Sequence, residues 1–155
     1  MKKVLLILLA ACGSDSVAPT ADVTASTPNQ LVLDDDAMND VSITVTYTDG
    51  DGDLGGGVAE VHDCRDDSLV TMLPISAIAP PDVVSAKSAI SGELDLYVDD
   101  VGVAMTGALP QTCTDLGVGA LADGTTVFCV ILADAAGHKG PGSCTQVITL
   151  VDTAP

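Results

Sequence analysis

Apolar and polar residues alternate without a fault over residues 41–48. Val41, Ile43, Val45 and Tyr47 take one side of an extended chain, and Ser42, Thr44, Thr46 and Thr48 take the other. Period 2 in β-branched residues marks a strand with one buried face. Residues 93–99 alternate as well, with Leu94, Leu96 and Val98 inward. The run TTVFCVILA, residues 125–133, is apolar on both faces and predicts a central strand. Residues 145–151 predict the closing strand, and weaker strands are expected at 30–33, 57–64, 69–75 and 101–106. Clusters of Gly, Asp, Pro and Ser separate them, as turn chemistry requires. No segment carries sustained helical spacing; a single turn around residues 114–121 is the best helical candidate.

Seven or eight short strands at regular spacing predict an all-β protein, an antiparallel β-sandwich. No internal repeat is evident, so one domain is the simplest count. The end of the chain carries an Asp123-Gly124 turn, an apolar strand over 127–132, an Asp134-Ala135-Ala136-Gly137 loop and a final strand over 147–151. In this it resembles the last two strands of bacterial immunoglobulin-like domains, and the resemblance extends over roughly residues 28–151. Two departures are plain. Phe128 precedes Cys129 where such domains tend to carry a corner tyrosine, and the chain has no Trp.

The N-terminus reads as an address. Met1-Lys2-Lys3 is a positive start, and residues 4–11 are an unbroken apolar run. Such a run is too short to cross a bilayer, which takes roughly 20 apolar residues as a helix. It suits the core of a secretory signal. It ends Leu9-Ala10-Ala11-Cys12, followed by Gly13. This resembles the Leu-small-small-Cys box of bacterial lipoproteins. The resemblance implies cleavage after residue 11 and lipidation of Cys12, with several acyl chains anchoring stably where one chain binds marginally. Gly13 in place of Asp implies passage to the outer membrane. The expected layout is a signal peptide over 1–11, a lipidated N-terminus and flexible tether over 12–28, and a sandwich over 29–155. The expected location is the cell envelope, with the membrane reached through the lipid.

Charge narrows the partners. The chain has 22 acidic and 5 basic residues, a formal net charge of −17. Loss of Lys2 and Lys3 with the signal leaves Arg65, Lys87 and Lys139 against 22 acids, or −19. A nucleic-acid surface needs Lys and Arg for phosphates, and single-strand binders add aromatic platforms. Neither is present, since Phe128, Tyr47 and Tyr97 are the whole aromatic complement. Such a charge also repels anionic headgroups, so the domain should stand off the membrane. Asp-rich surfaces of this kind also suit proteins adapted to high salt.

Catalysis finds little footing. His62 and His138 are the only histidines, and no G-x-S-x-G nucleophile turn occurs. The expectation is a non-enzymatic module with a binding, adhesion or envelope-structural role toward a protein or envelope component. The alternative is a small secreted metal-dependent hydrolase built on an Asp-rich loop.

After Cys12 four cysteines remain: Cys64, Cys113, Cys129 and Cys144. An even number in an exported chain reads as two disulfides, with three possible pairings. A hairpin pairing near residues 133 and 140 would set Cys129 opposite Cys144, which leaves Cys64 for Cys113. Zinc held by cysteines with His62 and His138 competes, but no C-x-x-C pair supports it.

The Asp-rich loop is Asp49-Gly50-Asp51-Gly52-Asp53-Leu54-Gly55, directly after the best strand. Oxygens at alternate positions of a Gly-rich turn can converge on one hard cation. Counting Asp49 as position 1 puts Asp51 at 3, Asp53 at 5 and Glu60 at 12, the spacing of an EF-hand loop. Leu54 at position 6 and strand-like flanks depart from that motif. The loop is closer to the Asp-Gly-Asp-Gly-Asp-Leu-Gly turns of immunoglobulin-like domains in secreted bacterial lipoproteins, some of which bind calcium. The expected cofactor is calcium, on Asp49, Asp51, Asp53 and Glu60, with Asp134 or Asp99-Asp100 as further ligands. A solvated acidic hairpin is the competing reading. Asp34-Asp35-Asp36 reads as a solvated turn.

Overall fold

The computed structural model describes residues 17–33, 39–76, 89–99, 101 and 107–152. Cys12 and its lipobox, Asp34-Asp35-Asp36, Asp100 and most of the strand expected at 101–106 lie outside these residues. Among them the chain is an all-β sandwich with one short helix.

One layer is three-stranded: β1 (Thr20–Thr27), β3 (Val41–Asp49) and β6 (Ile90–Val98), in the order β1-β3-β6. The facing layer holds β5 (Val70–Pro74), β4 (Val58–Asp63), β8 (Phe128–Ala133) and β9 (Ser143–Cys144), in the order β5-β4-β8-β9. A third set, β2 (Gln30–Leu33), β10 (Ile148–Asp152) and β7 (Thr125–Thr126), runs in the order β2-β10-β7. It continues the second layer, because β7 leads into β8 and β9 leads into β10. The seams are the single residue Val127 and the stretch 145–147. Thr145 donates its N–H to the Phe128 carbonyl at 2.9 Å and accepts from the Phe128 N–H at 3.1 Å through its hydroxyl, which stitches the hairpin across the seam.

The alternation read from the sequence orients these strands. On β3, Val41, Ile43, Val45 and Tyr47 are buried; on β6, Leu96 and Val98 are buried and Leu94 packs against them. Ala59 and Val61 of β4, Phe128, Val130 and Leu132 of β8, and Ile148 and Leu150 of β10 fill the opposite side. Aliphatic side chains therefore supply nearly all of the core, at roughly 1.5–3 kcal/mol for each large one fully buried.

Three expectations change. The stretch 12–28 is not tether throughout: Pro19 is buried and Thr20–Thr27 is β1, paired antiparallel with β3 from Thr20↔Thr48 to Thr27↔Ser42. A register shift between Val23 and Ala25 breaks its alternation, and Thr, Ala and Ser disguise it as linker. The sandwich is not wholly antiparallel either, since β2 and β10 pair in parallel, Gln30↔Thr149 to Leu33↔Asp152. The helical turn, α1 (Gln111–Asp115), lies three residues earlier than expected, after Pro110.

Both favoured disulfides are present. Cys129 and Cys144 are register partners on β8 and β9, with Cα atoms 4.0 Å apart. Cys64, just past β4, bonds Cys113 of α1. With Val127, Leu109, Leu116, Val118 and Leu121 they form a second small core outside the sandwich. Among the described residues no helix is long and apolar enough to cross a membrane.

Candidate metal centre

The period of β3 extends one step beyond its last apolar residue. Val45 and Tyr47 face inward, so Asp49 does too, and it is 1% exposed. The strand thus delivers a carboxylate to the end of the core, where the chain leaves one sheet for the other. The crossing over 50–57 is glycine-rich for steric reasons. Gly52 sits at φ +76°, in the left-handed region. Gly57 passes so close to β8 that a Cβ would meet the Ala133 carbonyl oxygen at 2.0 Å.

Leu54 anchors the loop as a fully buried plug in the main core. Its N–H donates to Asp49 Oδ2 at 2.8 Å, and its carbonyl accepts from Gly57 N–H at 2.9 Å. Gly56 N–H and Gly57 O bond Ile75 at 3.0 and 2.9 Å, which fixes the far side of the turn. The Asp53 carbonyl accepts from Ala135 N–H at 3.1 Å, tying the loop to the turn after β8.

This frame gathers Asp49, Asp51 and Asp53. One carboxylate oxygen from each lies within 4.8 Å of the others. Oδ1 of all three is buried and receives no hydrogen bond. Buried carboxylate oxygens ordinarily have partners, which a shared proton or a bound cation would supply here. Calcium binds oxygens at about 2.3–2.6 Å, which places its ligands up to about 5 Å apart. The cluster fits that sphere, and an all-carboxylate set suits a hard cation rather than a thiophilic one.

The electrostatics agree. Burial pushes the Asp49 carboxyl above its usual range; the Leu54 N–H opposes this and the Asp51 charge adds to it. Burial also raises Asp53, reinforced by Asp51, Asp134 and Asp49. Burial pushes Asp134 up as well, but His138 outweighs it and holds the group below the usual range. The His138 N–H and ring Nδ1 lie 2.8 Å from Asp134 Oδ1 and Oδ2 respectively.

Glu60 is a correction. It does not join the three Asp residues. Ala59 and Val61 of β4 turn inward, so Glu60 projects from the outer face. There it pairs with Lys139 Nζ at 2.6 Å and lies 3.7 Å from His62 Nε2. Position 12 of an EF-hand presumes a helix at that point, whereas here the loop ends at residue 57 and a strand begins. The Asp134 charge acts on Asp53 and its two oxygens each bond His138, but its carboxylate is not one of the three gathered together. Asp99 is described and exposed.

One buried charge pair had no sequence signal. Arg65, 6% exposed, binds Asp63 through Nε at 3.0 and 2.9 Å and donates to the Val101 carbonyl at 2.6 Å. Asp63 also accepts from the Thr126 hydroxyl at 2.6 Å. In sequence, Asp63 and Cys64 close the strand expected at 57–64, and nothing there marks Arg65 as buried.

Set against protein-family models, curated proteins and solved structures, the chain matches none. The site therefore rests on its own geometry.

Proposed function

We propose that the chain is a lipid-anchored, extracytoplasmic immunoglobulin-like module with a binding, adhesion or envelope-structural role, stiffened by calcium on Asp49, Asp51 and Asp53. The observation that carries the reading is the position of the carboxylate cluster. It sits at the crossing between the two sheets, braced by Leu54 and Ala135, where a cation would lock the layers together.

Other features support the rest. The order β1-β3-β6 against β5-β4-β8-β9 is that of strands A-B-E against C′-C-F-G in immunoglobulin-like sandwiches. Two disulfides suit an oxidising compartment. The Leu9-Ala10-Ala11-Cys12 box supports the anchor, Gly13 supports passage to the outer membrane, and the acidic surface favours a tethered domain over one lying on lipid.

Fractionation tests the anchor. Wild type should sediment with envelope membranes and release into detergent, while Cys12→Ala should appear in the soluble extracytoplasmic fraction. Retention of Cys12→Ala on membranes would remove the lipoprotein reading. Thermal melts of the protein in calcium and in metal-free buffer test the cation. A rise with millimolar calcium supports the stiffened module, and an unchanged melt leaves a solvated acidic hairpin.

A further inference from the structure

Sheet pairing brings together two cysteines that do not bond each other. Cys64 follows β4 and Cys129 lies on β8; these strands are hydrogen-bonded neighbours, with His62 opposite Cys129 and Cys64 N–H on the Val127 carbonyl at 2.9 Å. The Cys64 and Cys129 Sγ atoms are 3.4 Å apart, the point of contact between the two disulfides. Exposure across the cluster is graded. Cys64, Cys113 and Cys129 are at most 1% exposed, while Cys144 is half-buried. A cavity of about 230 Å³ lies against Cys64, lined in part by Leu109 and Leu121.

We propose that the two disulfides form one redox unit, in which reduction entering at Cys144 leaves at Cys113. The reductant is a dithiol. Its thiolate attacks Cys144 Sγ, and the electron pair of the Cys129–Cys144 bond departs on Cys129 Sγ. The Cys129 thiolate attacks Cys64 Sγ, forms a Cys64–Cys129 bond and expels Cys113 as a thiolate that takes a proton from water. The second thiol of the reductant closes on the mixed disulfide and frees Cys144. The dithiol becomes a cyclic disulfide, and the chain passes from two disulfides to one plus two thiols.

The new bridge joins strands already paired in the sheet, so it asks little of the fold. The released bond is the covalent tie between α1 and the sandwich. The exchange is thus a latch: it frees the segment carrying Leu109, Leu116, Val118 and Leu121, which covers the sulfur cluster.

Limited reduction of the native protein with dithiothreitol, trapping with N-ethylmaleimide in acid, and peptide mapping by mass spectrometry test the exchange. The expected one-bridge species carries Cys64–Cys129, with label on Cys113 and Cys144. A one-bridge species that keeps Cys64–Cys113 with label on Cys129 and Cys144 overturns it, as does reduction of both bridges with no one-bridge species. The oxidised double variant C113S/C144S gives a second reading. It should hold a Cys64–Cys129 bridge, and two free thiols in a variant with the native circular-dichroism spectrum would contradict the proposal.

Discussion

The Leu54 N–H donates to Asp49 Oδ2 at 2.8 Å, while the other oxygen of the same carboxylate is buried without a donor. One half of Asp49 holds the loop together and the other half faces Asp51 and Asp53. Substitutions at neighbouring acids should therefore part in sign. Asp49→Ala removes the bond to Leu54 and should destabilise the metal-free domain by about 1–3 kcal/mol, and cost more in calcium because a ligand is lost too. Asp51→Asn removes a charge from the cluster, so it should raise the melting temperature in metal-free buffer and abolish the response to calcium. Chemical denaturation of both variants, with and without calcium, checks the pair.

Acid should stabilise the metal-free protein before it harms it. The Asp49 and Asp53 carboxyls are raised above 3.8 in the folded chain, so the native state holds more protons than the unfolded state above that pH. The stability this confers is complete below about 3.8 and lost as pH climbs through the folded values. Asp134 runs the other way: its folded value is depressed, so its contribution is present above 3.8 and lost as pH falls below it. Melting temperature in metal-free buffer should therefore fall between about pH 4 and neutrality, and saturating calcium should remove that fall. A flat metal-free profile would count against the clustered carboxylates.

Leu54 holds the acidic loop by packing rather than charge. It is fully buried in the main core, and Leu54→Ala should cost about 2–5 kcal/mol. The variant should also bind calcium more weakly, because the cradle loses its plug. Urea denaturation gives the first quantity and calcium titration the second.

The Asp63–Arg65 pair should tolerate joint replacement better than single loss. Asp63→Ala leaves the Arg65 charge in a buried site and should cost about 3–5 kcal/mol. The double variant Asp63→Leu/Arg65→Met should cost less than Asp63→Ala alone. Equal losses would show that the charge pair is not what stabilises this corner.

How much of this was legible depended on periodicity. β3 and β6 alternate cleanly, and their inward residues are those the pattern selected. The same alternation carried one step further would have marked Asp49 as buried. Cys129 and Cys144 could be paired from the hairpin, because Asp134-Ala135-Ala136-Gly137 fixes where the strands turn. β1 was hidden, since its bulge between Val23 and Ala25 breaks the period and its residues are those of a linker. Glu60 was misplaced because counting from Asp49 borrowed a helical frame, while Gly55-Gly56-Gly57 launches a strand that turns it outward. Val127 and residues 145–147 interrupt two runs that read as continuous, because a seam between sheets changes backbone direction without changing apolar composition. Asp63 and Arg65 are two residues apart, but the partners that accompany their burial, Thr126 on Asp63 and Val101 on Arg65, are remote in sequence, and no local pattern reports them.

Calcium binding to the native domain tests the central claim most directly. Isothermal titration calorimetry of metal-free protein should show one calcium per chain, absent in Asp51→Asn. At calcium one hundred times the dissociation constant the domain should gain about 2.7 kcal/mol of stability. No heat of binding for the folded wild type, or unchanged binding in Asp51→Asn, would contradict a cation held by Asp49, Asp51 and Asp53.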